Sequence, residues 1–333
     1  MSIRWKVGLV LLLVIVAAGV VFRLAPPPEP TYRGRAISVW LDDWAAGKQT
    51  DCSAAIQGIG TNCLPYVARN LARNDSQWRT MYRELQPKVP TFLQKIVTAP
   101  KPVLRVVDGV NVFDWLGSNA IPEAITLLKH NSPAVRQASA WGLGSIRRQS
   151  AAANQAMPAL IETLTDSDLD VRSYAVLALG EMRADASNAV PAIAKVLADP
   201  GGGSQTNSYL SLRASAALAL GKIGPSAASG LPDLKSALNE SDSYLRGQAA
   251  VAVWRVGGDV ETALPVLLQV MPGTSEASKW DWIIALGEMG PRASEAVPQL
   301  MNELQQDKER WVLEYVTNAL TKIAAGRLQR GVP

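Results

Sequence analysis

The sequence predicts an all-α fold: a solenoid of stacked antiparallel helix pairs behind an N-terminal transmembrane helix. Three observations predict it. Prolines recur at Pro122, Pro158, Pro191, Pro232, Pro265 and Pro298, at steps of 36, 33, 41, 33 and 33 residues. A basic residue follows most of them by 14 positions, at Arg136, Arg172, Arg246 and Lys279, with Arg213 in the same role after an eight-residue insertion. An unbroken apolar run, Val7 to Phe22, lies ahead of the whole array. A fixed period of this length is the mark of a repeat architecture, in which each unit buries its apolar face only against its neighbours.

Residues 1–25 read as a signal anchor. Arg4 and Lys6 precede the run and Arg23 closes it. Its 16 residues make about 24 Å of helix against roughly 30 Å of hydrocarbon. Snorkelling of Lys6 and Arg23 closes that gap. The expectation is a single-pass protein of the cell inner membrane with its body on the extracytoplasmic side, the alternative being a secreted or periplasmic body after cleavage. Residues 26–34 read as a Pro-rich spacer, since Pro26-Pro27-Pro28-Glu29-Pro30 favours stiff polyproline.

Residues 35–116 read as a helical N-terminal cap with divergent repeats. Pro65, Leu71 and Arg79 keep the phase of one repeat before Pro87 and Pro90 interrupt it. Trp40 and Trp44, one helical turn apart, cover the first core layer. Cys52 and Cys63 each open a short helix. An antiparallel hairpin places them at opposite ends, so they read as buried free thiols.

Residues 117–330 read as the repeat array. The stretch PALIETLTDSDLDVRSYAVLALGEM from Pro158 aligns with PDLKSALNESDSYLRGQAAVAVWRV from Pro232. Each unit is an amphipathic helix A, a short polar turn and an amphipathic helix B. Proline fits the first turn of helix A, where its missing N–H costs little. Asp166, Ser167 and Asp168, or Ser241 and Asp242, supply caps for helix B. Eight residues after the basic position stands a small residue, Gly144, Gly180, Gly221 or Gly287, with Trp254 as the exception. The insertion Gly201–Asn207 reads as a flexible loop between helices A and B.

The P-x-L, D-x-x-V-R and A-L-G-x-I-G elements of this array resemble HEAT repeats, including the HEAT-like repeats of the bilin-lyase type. The resemblance covers roughly residues 117–326. It implies a right-handed superhelix with the B helices lining its concave face. Tyr32-x-Gly34, Trp40-Leu41 and Ile59-Gly60-Thr61-Asn62-Cys63-Leu64-Pro65 resemble the opening module of membrane-anchored bacterial HEAT-repeat proteins.

Composition narrows the chemistry. The 333 residues hold one histidine and two cysteines, which excludes His-based and four-Cys zinc sites. No P-loop, G-x-S-x-G elbow or H-E-x-x-H motif is present, and no cofactor is implied. Asp166-Ser167-Asp168-Leu169-Asp170 begins like a calcium loop but has Val171 where glycine is required and Leu177 where the bidentate glutamate is required. HEAT-like di-iron hydroxylases carry His-Glu pairs, whereas the lone His130 precedes Asn131 and reads as a partner for a helix C-terminus. The net charge is +4, half of it contributed by the first 30 residues, which excludes a strong nucleic-acid groove. The regular phase of Arg136, Arg172, Arg213 and Arg246 reads as a structural ladder to acidic turns of neighbouring repeats.

The candidate partner-binding residues are Trp141, Tyr174, Trp280, Asp281, Trp254 and Glu288, on or beside the B-helix slots two and five residues after the basic position. Aromatic side chains among scattered charges suit a protein or peptide partner. The functional expectation is a membrane-tethered, non-catalytic interaction or scaffolding module. One alternative is a HEAT-like lyase-type enzyme or accessory subunit, and a second is a structural spacer of the cell envelope.

Overall fold

The computed structural model describes residues 29–48, 51–76, 81, 103–149, 151–199, 211–272, 276–306 and 310–328. The described chain is helical apart from one short hairpin, β1 (Thr31–Tyr32) against β2 (Arg35–Ala36), with Thr31 opposite Ala36. Arg33 and Gly34 turn it, both at positive φ. The hairpin was not anticipated from the sequence, and it folds the end of the expected spacer onto the cap. Tyr32 meets Trp40 edge-on at 6.0 Å. A Cβ on Gly58 would come within 2.6 Å of the Tyr32 ring, so the ring lies directly on the helix backbone there.

The segment expected to form the cap continues with α1 (Ile37–Ala45), α2 (Cys52–Ile59), α3 (Leu64–Ala72) and α4 (Val106–Leu116). The Glu29 carboxylate accepts the Ser38 amide at 2.6 Å and so places an anion at the N-terminus of α1. Asp51 caps α2 by accepting the Ala54 amide. Trp40 is buried, and Trp44 packs on Trp115 with ring centroids 5.1 Å apart. Cys52 and Cys63 are both free and buried.

Six helix pairs follow among the described residues. The A helices are α5 (Ile121–Leu127), α7 (Met157–Thr163), α9 (Val190–Ala198), α11 (Leu231–Ala237), α13 (Val260–Val270) and α15 (Val297–Gln306). The B helices are α6 (Pro133–Gln149), α8 (Leu169–Glu181), α10 (Leu212–Ile223), α12 (Ser243–Gly257), α14 (Glu276–Met289) and α16 (Arg310–Leu328). Proline occupies the first turn of α3, α5, α7, α9 and α11. The B helices start at side-chain caps: Asp168 accepts from Val171, Ser211 from Ala214, and Asp242 from Tyr244 and Leu245. Each cap satisfies amides that the first turn leaves unpaired.

Consecutive B helices pack side by side as one layer. The glycines eight residues after the basic position explain how close they come. A Cβ added to Gly144 would lie 2.9 Å from the Ala178 Cα, one on Gly180 2.8 Å from Ala219, one on Gly221 3.1 Å from Ala252, and one on Gly287 3.0 Å from Ala319. Backbone meets backbone at all four junctions, and the alanine-rich B helices are what this contact selects.

The basic residues act within their own repeat as well as between repeats. Arg136 donates to the carbonyls of His130 and Asn131, Arg172 to that of Asp166, Arg213 to that of Leu197, and Arg246 to those of Glu240 and Ser241. These carbonyls end helix A or its turn, so the guanidinium closes the turn it follows. Arg136 and Arg213 also reach the next repeat, pairing with Asp166 and Glu240. Among the described residues the expected ladder of inter-repeat ion pairs is thus formed at Arg136 and Arg213, while turn closure is common to all four arginines.

One junction departs from the pattern. Segments of 3-10 helix lead into α7, α9, α11 and α15, but α12 passes to α13 through Gly258 and Asp259 alone. Asp259 caps α13 by accepting from the Thr262 amide and hydroxyl, so the helix starts early and Pro265 lies inside it, not in its first turn.

Three expectations fall outside the described residues and one is corrected. The anchor expected over 1–25 lies outside the described residues, as do Arg79 and the loop Gly201–Asn207. Among the described residues, no helix is long and apolar enough to cross a membrane. The expectation of a single-pass inner-membrane protein is corrected accordingly: nothing in the described residues supports it.

Candidate functional site

The open face of the B-helix layer holds three rows of side chains. Five residues after each basic position stand Trp141, Leu177, Leu218, Val251 and Ile284, all half-buried except Val251, which is buried. Nine residues after it stand Glu181, Lys222, Arg255 and Glu288 in successive repeats. Glu181 pairs with Lys222 at 2.7 Å, and Arg255 pairs with Glu288 at 3.1 Å and with Asp281 at 3.1 Å. Two residues after the basic position, Tyr174 and Asp281 stay partly exposed, whereas Ala138, Ser215 and Gln248 are buried. An apolar row therefore runs beside a row of self-neutralised charges.

Among the candidate residues, Trp141 and Tyr174 come together. Their rings stack at 4.9 Å with planes 8° apart, across the boundary between α6 and α8. Burial pushes the Tyr174 phenol up, and the charge of Asp170 adds to the effect, so the ring is neutral across the physiological range. Trp280 is 45% exposed and meets Tyr315 edge-on at 5.6 Å. Asp281 and Glu288 share Arg255, a grouping that sequence reasoning missed. Trp254 is half-buried in the position that glycine occupies at other junctions. Trp282, one position from Asp281, is fully buried, as its alanine-type slot predicts. Two separate clusters result, Trp141–Tyr174 towards the N-terminal end of the layer and Arg255–Asp281–Glu288 with nearby Trp280 towards the C-terminal end.

Elsewhere one cleft carries paired charges. A cleft of about 420 Å³ between the turns of the first two repeats is lined by Lys129, His130, Arg136, Glu162 and Asp166. Arg136 holds Asp166, and Lys129 pairs with Glu162 at 3.1 Å. His130 Nδ1 accepts the Ser132 amide, so the ring closes the turn that follows helix A. Among the described residues, no group of three or more His, Cys, Asp and Glu side chains could hold a metal ion.

Two family models match parts of the chain: HEAT repeats over residues 121–204 and the PBS lyase HEAT-like repeat over residues 212–240. The chain carries HEAT and HEAT-like repeats over those spans. Among curated proteins, none matches. The complex of CpcE and CpcF of phycocyanin lyase from Nostoc sp. PCC7120 has 20% identity over 71% of this chain and 99% of that chain, with a TM-score of 0.46. An engineered protein has 20% identity over 62% of this chain and 97% of its own, with a TM-score of 0.41. Human deoxyhypusine hydroxylase has 17% identity over 80% of this chain and 97% of its own, with a TM-score of 0.27.

Proposed function

We propose that the chain is a non-catalytic interaction or scaffolding module that binds a protein or peptide on the concave face of a right-handed solenoid spanning residues 117–330, with residues 35–116 as its cap. The observation that carries this reading is the stacked pair Trp141–Tyr174, half-buried on the open face of two adjacent B helices. A flat aromatic pair beside the half-buried Leu177 and Leu218 offers apolar area at low entropic cost, which is what an anchor for an amphipathic segment requires. The neutralised row of Glu181 and Lys222 forms a polar rim beside it.

A photo-reactive residue at position 141 or 174 tests the proposal in living cells, with the same probe at exposed Lys235 on helix A as the control. The reading expects one recurring crosslinked protein at positions 141 and 174 and none at 235. Equal crosslinking at all three, or none, overturns it.

A second reading is an accessory subunit of a lyase-type enzyme, favoured by the match of residues 212–240 to the PBS lyase HEAT-like repeat. It differs in outcome: the captured protein would change mass on incubation with the chain, whereas a scaffold leaves it unchanged.

A further inference from the structure

The B-helix layer is regular up to α12, and the junction from α12 to α14 is built differently in four respects. Trp254 stands where Gly144, Gly180, Gly221 and Gly287 bring backbones together. The close approach shifts two helical turns back, to Gly247, where an added Cβ would lie 2.1 Å from the Trp282 ring, so backbone there meets an indole and not a neighbouring backbone. Gln248 Oε1, Asp281 Oδ2 and Trp282 Nε1 are buried here without hydrogen-bond partners. What crosses the junction on the open face is ionic: Arg255 to Asp281 and Glu288, each at 3.1 Å.

We propose that this junction is a compliant joint, closed by the Arg255 clasp, about which α14 to α16 open as one unit while the repeats before it stay folded. A solenoid's stability is a sum of repeat terms and nearest-neighbour interface terms, so a single weak interface divides it into separately opening blocks. Three features weaken this interface: lost backbone contact, buried polar atoms left unpaired, and dependence on ion pairs that salt screens.

Amide hydrogen exchange of the full chain, read by mass spectrometry, tests the joint. The expected result is a common exchange rate across α14, α15 and α16, with a step to slower exchange in α8 and α10. Arg255→Ala should speed exchange in α14 to α16 by about threefold to tenfold, from two lost ion pairs, and leave α6 to α10 unchanged. Gly247→Ala, which presses on the Trp282 ring, should act on the same block. Rates that fall smoothly from α16 inward with no step between α14 and α12 would show simple end-fraying and overturn the proposal. Equal acceleration of α8 and α10 by Arg255→Ala would overturn it as well.

Discussion

The guanidinium of Arg136 holds the carboxylate of Asp166 through two hydrogen bonds, Nε to Oδ2 at 2.7 Å and Nη2 to Oδ1 at 2.8 Å, across the boundary between two repeats. Both side chains are 12% exposed, so water competes weakly for either. The same guanidinium closes its own turn through the His130 and Asn131 carbonyls, and Asp166 Oδ1 accepts the Asp168 amide. One ion pair thus ties two turns and a helix start together.

Removing Arg136 should cost more than removing an ordinary surface cation. Arg136→Ala leaves a partly buried carboxylate and two turn carbonyls unpaired, and a loss of about 2–4 kcal/mol is expected. Chemical denaturation reads this directly, and a loss under about 0.5 kcal/mol would place the pair among the weak surface bridges. The pH dependence follows from Asp166. Burial raises its carboxyl, but the Arg136 guanidinium and the Asp168 amide outweigh that and hold it below the ordinary value. A group with a depressed folded pKa binds fewer protons than the unfolded chain between the two values. Its stabilisation is therefore complete above the unfolded value of about 3.9 and lost as pH falls through the folded one. Asp166→Asn should flatten that acid limb.

Gly180 predicts the opposite of helix propensity. Glycine to alanine inside a helix ordinarily gains about 1 kcal/mol. At Gly180 the new Cβ would sit 2.8 Å from the Ala219 Cα, a backbone atom that cannot rotate away. Separation of α8 from α10 should then cost about 1–3 kcal/mol, leaving Gly180→Ala neutral to clearly destabilised. Gly257→Ala is the comparison, since its nearest neighbour is the flexible Leu231 side chain at 3.3 Å. It should be neutral or stabilising. Equal melting temperatures for the two variants would show that the inter-repeat contact is not the constraint on this position.

This contact also shows how much of the fold could be read from residues alone. The phase of proline, arginine and glycine was plain in the chain, and so were the helix pairs and the caps at Asp168 and Asp242, because each reflects a local rule with a fixed spacing. The burial of Trp282 was legible for the same reason: it occupies an alanine slot. The hairpin at Thr31–Ala36 was not, because two-residue strands carry no periodicity and the packing of Tyr32 on Gly58 is a long-range event. The Arg255 clasp was hidden too. Its partners lie 26 and 33 residues away, and only the stacking of α12 on α14 brings them together. At the candidate site the sequence supplied Trp141 and Tyr174 as separate possibilities, and their parallel stacking is a property of two adjacent helices.

Cys52 and Cys63 give a prediction of reactivity. Burial pushes both thiols up to about 12, with the charge of Asp51 adding to the effect at Cys52. The thiolate is the reactive form, so neither should be alkylated at pH 8 while the cap is folded. Two equivalents of thiol should appear on addition of denaturant. Rapid labelling of the native protein would mean that α2 opens readily to solvent.

The last prediction concerns the aromatic pair. Trp141 and Tyr174 are each half-buried and stack on one another, with most of their outer surface on the open face of the layer. A stacked pair contributes about 0.5–1.5 kcal/mol beyond its buried area. Truncating both removes only side chains that already meet solvent, and the Gly144–Ala178 and Gly180–Ala219 contacts that hold α6, α8 and α10 together remain. The double variant Trp141→Ala, Tyr174→Ala should thus lower stability by about 1–2 kcal/mol, a modest shift of melting temperature for a chain of this length. If the pair is an anchor, affinity for the crosslinked partner should fall by at least about 30-fold, the equivalent of one hot-spot residue. A steep drop in melting temperature together with unchanged affinity would make the pair a packing device between repeats and move the binding surface elsewhere on the layer. Tyr174→Phe separates the two roles further: it keeps the stack and removes only the hydroxyl, so it should leave stability unchanged and reveal whether the partner is bonded there.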